Sequence, residues 1–331
     1  MDVQHNQTIA SEFILLGLTD SPELRTPLFV LFLALYVLAV TGNILTAAAI
    51  QSDAQLSQTP MYFFLTCLSL VDVGLTSAIV PTMLLSLLGG QGETGFISYS
   101  GCLTQLYFFV ALANTDSYLL AAMAVDRYVA ICNPLQYTKV MNHRLCLLLL
   151  AGSCSISHLH SLLQTMLISR LTFAASANRV PHFFCDIQPL LKLSCSDTSI
   201  NELVGMTEAL AVVITPFMCV VISYVRILAT VLKVSSAQGK CKAFSTCGSH
   251  LTVVTLFYGS VIWVYFRPLS SYTAVKDRVA AVMYTILTPM LNPFIYSLRN
   301  ADLQGALRKI VRKLCSVVLS LTLAAPTGNV A

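Results

Sequence analysis

The chain has 331 residues, of which 56% are hydrophobic and only 10% charged, with a formal net charge of +4. A soluble domain carries about a quarter charged residues, so a water-exposed globular surface is excluded, and no nucleic-acid partner is expected. The charges cluster, leaving apolar runs near the roughly 20 residues that a spanning helix needs.

In chain order, residues 1–25 lack the basic start and apolar core of a signal peptide. They contain Asn6-Gln7-Thr8, which makes Asn6 a glycosylation acceptor if it faces the secretory lumen. Apolar runs follow at 26–50, 60–88, 99–131, 143–168, 199–232, 243–266 and 276–298. Several contain Pro or a lone carboxylate, tolerable where neighbouring helices satisfy the exposed groups. Residues 301–314 then place Leu303, Ala306, Leu307, Ile310 and Leu314 at helical spacing, with Arg308 and Arg312 opposite. That pattern predicts a short amphipathic eighth helix lying flat on the membrane. The fold class expected is an all-α membrane protein: a tail over 1–25, a seven-transmembrane helix bundle over 26–298, and an amphipathic helix and tail over 299–331.

With the N-terminus outside, the inner loops and helix ends hold Arg127, Lys139, Arg144, Arg226, Lys233, Lys240, Lys242, Arg299, Arg308, Lys309, Arg312 and Lys313. That is twelve of nineteen Lys and Arg residues, and the positive-inside rule favours this orientation. Of eleven cysteines, Cys102, Cys185 and Cys195 then fall on the outer side, where disulfides form. A bridge between Cys102 and Cys185 would pin the loop after the fourth helix over the bundle mouth, leaving Cys195 without an obvious partner.

Polar groups inside apolar runs are expensive and point to function. Asp72 lies 12 residues past Pro60, and Asp116 lies 11 before Arg127. At 1.5 Å per residue these are about 18 and about 16 Å from the same surface, so the two carboxylates share a depth. Asn43 and Asn292 could add oxygens there. Two buried carboxylates do not both ionise without a cation or a shared proton. A monovalent-cation site, sodium being the candidate, and a protonated hydrogen-bonded core are both open readings. Asp126-Arg127-Tyr128 closes the third run as a charge lock, and Pro293 after Asn292 reads as a movable joint whose lost backbone bond Asn292 compensates locally. A transporter would show an internal repeat or paired broken helices, and none is visible. A membrane enzyme would need a clustered constellation, and the six histidines are scattered; His158 and His160, two apart, do not share a helix face.

The motifs Thr59-Pro-Met-Tyr-Phe-Phe-Leu65, Leu68-Ser-Leu-Val-Asp72, Met123-Ala-Val-Asp-Arg-Tyr-Val-Ala-Ile-Cys132 and Ser223-Tyr224 occur in that order. So do Lys242-Ala-Phe-Ser-Thr-Cys-Gly-Ser-His-Leu251 and Pro289-Met-Leu-Asn-Pro-Phe-Ile-Tyr-Ser-Leu-Arg-Asn300, with His182-Phe-Phe-Cys-Asp186 and Leu193-Ser-Cys-Ser-Asp197 between them. On these the chain resembles a rhodopsin-like G protein-coupled receptor, and more closely a class II (tetrapod-type) odorant receptor, over about residues 5–314. The resemblance implies a plasma-membrane, multi-pass receptor with an extracellular N-terminus. It implies that an odorant binds within the bundle and that the stimulatory G protein of olfactory neurons is activated, raising cAMP. It also implies that the protein is not an enzyme. Arg127 would hold the inactive state through Asp126 and contact the G protein once helix six moves, with Tyr224 and Tyr296 rearranging toward it. Lys233, Lys240 and Lys242, with the Lys139 to Arg144 loop, would border the G protein cleft or contact membrane lipids. The chain departs from the family pattern at Val125 (usually Tyr), Gln58 (usually His) and Ala175. The residue usual at 175 is a Cys that bridges to the position of Cys195, so one loop disulfide is expected to be lost.

The expected odorant wall is Phe109, Val110, Ala113 and Asn114 with Ser117 on helix three, and Glu208, Val212 and Val213 on helix five. Tyr258, Val261, Ile262 and Tyr265 on helix six, and Met283 and Thr285 on helix seven, complete it. This is mainly apolar with a few hydrogen-bonding groups, as suits a small volatile ligand. No acid stands at the Phe109 position, where receptors for amine transmitters carry one. Glu208, about 15 Å into helix five, would bond an oxygen-bearing odorant when protonated or pair with an amine when ionised; the alternative is a bond to Ser or Thr of a neighbouring helix.

Overall fold

A computed structural model of the chain describes residues 10–19, 21–88, 95–175, 178–233, 236–265, 274–298 and 300–324. The helices are α1 (Pro22–Ser52), α2 (Ala54–Ser57), α3 (Pro60–Leu88), α4 (Tyr99–Cys132), α5 (Tyr137–Val140), α6 (His143–Ser169) and α7 (Ile187–Leu193). They continue with α8 (Ser199–Glu208), α9 (Thr215–Lys233), α10 (Ala237–Tyr265), α11 (Ala274–Val282), α12 (Thr288–Leu298) and α13 (Ala301–Ala324). A π-helical segment, Ala209–Ile214, joins α8 to α9 as one span, and a second, Met283–Leu287, joins α11 to α12. Six of the described spans are long and apolar enough to cross a membrane. Within α10, Cys247–Trp263 is a further apolar helical stretch.

The bundle turns apolar side chains outward and buries a set of polar groups within a largely apolar core, where neighbouring helices can satisfy them. Leu85, Leu148 and Leu159 face outward, while Asn43, Asp72, Asp116 and Asn292 are buried. Local signals fix the helix starts. Ser98 Oγ accepts the Gly101 amide at 3.0 Å, and Asn142 Oδ1 accepts that of Leu145 at 2.9 Å, each satisfying a first-turn donor. Asp53 caps α2 through the amides of Gln55 and Leu56; chiefly through the Leu56 amide, its carboxyl is held below the usual carboxylate range.

Two expectations change here. The N-terminal tail carries a strand, β1 (Glu12–Leu15), between β2 (Phe96–Ser98) and β3 (Arg179–Val180). It runs antiparallel to β2, with Phe13 opposite Ile97, and parallel to β3, with Ile14 opposite Arg179. Alternation turns Phe13 and Leu15 inward, and Phe13 meets Phe173 edge-on at 5.1 Å. Gly95 has φ +102°, and a Cβ there would lie 2.5 Å from the Leu15 carbonyl oxygen, so this crossing admits only glycine. This small sheet caps the mouth of the bundle. The second change is α13, which continues to Ala324 rather than ending at 314, because the stripe of Leu303, Ile310 and Leu314 repeats at Val317 and Leu321.

Cys102 and Cys185 form a disulfide with Cα atoms 5.5 Å apart, tying the loop to the top of α4. Cys195 is a free, exposed thiol. Near Ala175, backbone bonds stand where a second bridge would. The Cys195 amide donates to the Thr172 carbonyl at 2.9 Å, and Phe173 pairs with Ser194.

Candidate ligand wall, polar core and switch

Beneath the capped mouth, the Phe109 ring packs 4.8 Å from Phe184 and 6.3 Å from Tyr284. Val110, Val212, Tyr258, Val261 and Thr285 are also buried, and Ala113, Asn114, Val213, Ile262 and Met283 are half-buried. The side chains of Glu208 and Tyr265 lie outside the described residues, as does Asn6. Phe184 and Tyr284 join this wall without having been expected: Phe184 comes from the loop tied to α4, and Tyr284 lies between Met283 and Thr285 of the seventh span. Asn114 turns to α6, where its Nδ2 lies 2.6 Å from His160 Nδ1. His158 Nδ1 meets the Tyr107 hydroxyl at 2.8 Å. Both histidines reach α4, His158 at Tyr107 and His160 at Asn114 two turns further along.

Below Phe109, Ser117 ties three helices. Its hydroxyl lies 2.9 Å from that of Tyr258 and donates to the Val212 carbonyl at 3.2 Å, while Tyr258 donates to the Ser117 carbonyl at 3.0 Å. The sequence explains why Val212 is available. Pro216 has no N–H, so the carbonyl four residues before it loses its helical donor. Thr215 and Thr288, each directly before a proline, bond carbonyls five residues back, at Leu210 and Met283. Each Thr-Pro pair thus accompanies a π segment, a form frequent at functional sites.

Proline also organises the core. Pro293 frees the Pro289 carbonyl, and that oxygen accepts Asn43 Nδ2 from α1 at 2.9 Å. The compensation expected of Asn292 comes from Asn43, because Asn292 Nδ2 instead donates to Asp72 Oδ2 at 2.8 Å. A Cβ at Gly42 would meet Pro293 at 3.2 Å, so α1 presses on the kink. Asp116 is near enough for its charge to repel that of Asp72. Asn43 Oδ1, Asp72 Oδ1, Asp116 Oδ1 and Asn292 Oδ1 are buried without a hydrogen-bond partner among the described residues. Among the described residues, no three His, Cys, Asp or Glu side chains group as a metal site. The Asn43, Asp72, Asp116 and Asn292 side chains would supply two carboxylate and two amide oxygens to a cation in this core.

At the base, Asp126 Oδ1 accepts the Tyr137 hydroxyl of α5 at 2.7 Å. The carboxylate expected to hold Arg127 is thus held by the loop helix. Burial, then the Asp126 charge, raises the Tyr137 phenol above its ordinary range. Arg127 is half-buried, and its Nε has no hydrogen-bond partner among the described residues. Its charge reaches Tyr224, His250 and Tyr296. Tyr128 packs on Ile227, Val231 and Cys247. Leu135, on the turn leaving α4, is 99% exposed, an apolar side chain that sequence patterning had not singled out. The side chain of Lys242 and all of Arg299 lie outside the described residues. Leu303 and Ala306 of α13 are buried, with Arg308, Lys309 and Arg312 exposed, and Lys309 Nζ reaches Asp53 at 3.5 Å.

Seven spans, a capped aromatic wall and a buried polar path down to an arginine define a seven-helix, multi-pass membrane receptor. Residues 32–314 match the olfactory receptor family. The chain is 61% identical over 310 residues to Olfactory receptor 1L6 of Homo sapiens, covering 94% of this chain and 88% of that protein. It is 60% identical over 316 residues to Olfactory receptor 1L4 of Homo sapiens, covering 96% and 100%. It is 55% identical over 307 residues to Olfactory receptor 1f45 of Rattus norvegicus, covering 92% and 96%. The chain belongs to the olfactory receptor family. It is a receptor and not an enzyme.

Proposed function

We propose that this receptor sits in the plasma membrane with its N-terminus outside and binds a small volatile odorant against the Phe109 wall. It then activates the stimulatory G protein of olfactory neurons and raises cAMP. The observation that carries this reading is the Ser117–Tyr258–Val212 tie directly under the aromatic wall. It couples α4, α10 and the π segment before α9, so a ligand pressing on Phe109 or Tyr258 strains the contact between helices. A signal requires that the ligand favour one arrangement over the other. Glu208 lies at the α8 end of that π segment and is proposed to bond an oxygen-bearing odorant. The orientation rests on the twelve basic residues of the inner side, and Asn6 is then proposed to be glycosylated. Sodium, held by Asp72 and Asp116 with Asn43 and Asn292, would balance one of the two carboxylate charges while the other carboxyl keeps its proton, and act as an allosteric modulator.

An odorant panel on cells expressing the receptor, the olfactory G protein and a cAMP reporter tests the reading. At least one small volatile should raise cAMP, and Arg127→Ala should abolish the response at matched surface expression. Silence of the wild type across the panel at normal surface expression, or a full response from the Arg127→Ala receptor, would overturn it.

A further inference from the structure

A site apart from the odorant wall lies on the outside of the bundle. α9 packs along α4 but touches α10 only sparsely. Between α9 and α10 this leaves a cleft of about 330 Å³ lined by Phe217, Val220, Val221, Tyr224, Val225, Leu228, Leu251 and Val254. The α9 members recur at i, i+3, i+4 and i+7, so they form one stripe. The only polar atom they bring is the Tyr224 hydroxyl, and it bonds His250 at 2.8 Å. Val225 on its rim and Met218 and Ile222 beside it are exposed apolar residues, so its open side faces bilayer hydrocarbon.

Depth and charge select the occupant. Lys233 ends α9, and Lys240 lies in the first turn of α10. Each is nine or ten residues from the Tyr224–His250 pair, about 14–15 Å at 1.5 Å per residue. That is half of the roughly 30 Å hydrocarbon core; the lowest lining residues, Leu228 and Leu251, lie about 8 Å above Lys233 and about 17 Å above Lys240 along their helices, within reach of an acyl chain whose headgroup sits at the two lysines. We propose that the cleft binds one acyl chain of an anionic phospholipid of the inner leaflet, with its phosphate held by Lys233 and Lys240. Because Tyr224 forms one wall and α10 the other, the bound chain wedges against the helix whose movement signalling requires. The site depends on the membrane orientation proposed above and not on any odorant.

The test uses purified full-length receptor in nanodiscs containing phosphatidylserine or phosphatidylcholine with a mid-chain diazirine, followed by mass-spectrometric mapping. Adducts should concentrate on Val221, Val225, Leu251 and Val254 relative to the exposed face of α1 at Val30 and Val37. Val225→Trp, which fills the cleft from its exposed side, should remove them and leave the α1 adducts unchanged. Lys233→Gln with Lys240→Gln should lower phosphatidylserine labelling in the cleft about 25-fold, from about 1 kcal/mol per lysine. Equal adduct density on the cleft and on α1, or cleft labelling that survives Val225→Trp, assigns the site to ordinary surrounding lipid and overturns the proposal. Equal labelling by the two headgroups, or cross-linked receptor pairs in place of lipid adducts, overturns it as well. None of these readouts uses an odorant, so a receptor silent to odorants still decides the lipid question.

Discussion

His250 Nε2 lies 3.0 Å from the Leu120 carbonyl oxygen while its Nδ1 lies 2.8 Å from the Tyr224 hydroxyl. A carbonyl only accepts, so Nε2 carries the proton and Nδ1 accepts from Tyr224. One neutral imidazole thus latches α10 to both α4 and α9, one turn from the cluster around Cys247. Each bond is worth about 1 kcal/mol net, so losing both shifts the balance of helix positions by roughly tenfold or more. His250→Phe should raise odorant-independent cAMP by about that factor at matched surface expression. Unchanged basal signalling in the presence of normal surface expression would remove the latch.

The spans were legible because an apolar run of membrane length is a strong local signal, and depth counting already put Asp72 and Asp116 at one level with Asn43 and Asn292 near it. The strands were not, because two to four residues give no readable alternation and β1 forms only with both neighbours present. The π segments were legible in principle: Thr215-Pro216 and Thr288-Pro289 remove donors at fixed positions. The partner of Asp126 was not, since Tyr137 reaches it only after the chain has turned out of α4.

Leu135 places a large apolar side chain in water at the base of the bundle, beside the Asp126–Tyr137 bond. An exposed apolar side chain next to the Arg127 cleft fits a partner pocket better than solvent. Leu135→Asp should cut maximal odorant-evoked cAMP about tenfold or more while leaving surface expression and the odorant rank order intact, consistent with loss of about 1–2 kcal/mol of contact. A full response from that variant would place the G protein contact elsewhere.

His182 gives the mouth a pH dependence whose sign is fixed by burial. Its ring stacks on Phe183 at 4.7 Å and meets Phe184 edge-on at 4.6 Å, and it is 2% exposed. Burial, with the Arg278 charge adding to it, pulls its pKa from 6.5 down to about 3. Between those values the unfolded chain binds the proton and the folded loop does not, so stability is complete above pH 6.5 and falls as the pH drops toward 3. From pH 6.5 to 5 the loss is about 2 kcal/mol from this group. Thermal unfolding of the purified receptor at the two pH values should show it, and His182→Gln should flatten most of the difference. An identical pH slope in the variant would assign the effect to other groups.

The four buried oxygens of Asn43, Asp72, Asp116 and Asn292 separate the two readings of the core. A protonated, hydrogen-bonded core gains nothing from sodium. A core that holds the ion is stabilised by mass action, by about 1.4 kcal/mol when sodium stands tenfold above its Kd, which moves the unfolding midpoint by roughly 2 °C in a chain of this size. The purified receptor should therefore unfold at a higher temperature in sodium chloride than in N-methylglucamine chloride at equal ionic strength. Asp72→Asn removes one carboxylate while keeping an oxygen for the bond from Asn292, and in that variant the sodium effect should vanish. Equal midpoints for the wild type in the two salts would establish the protonated core, and an undiminished shift in Asp72→Asn would move the ion to another site.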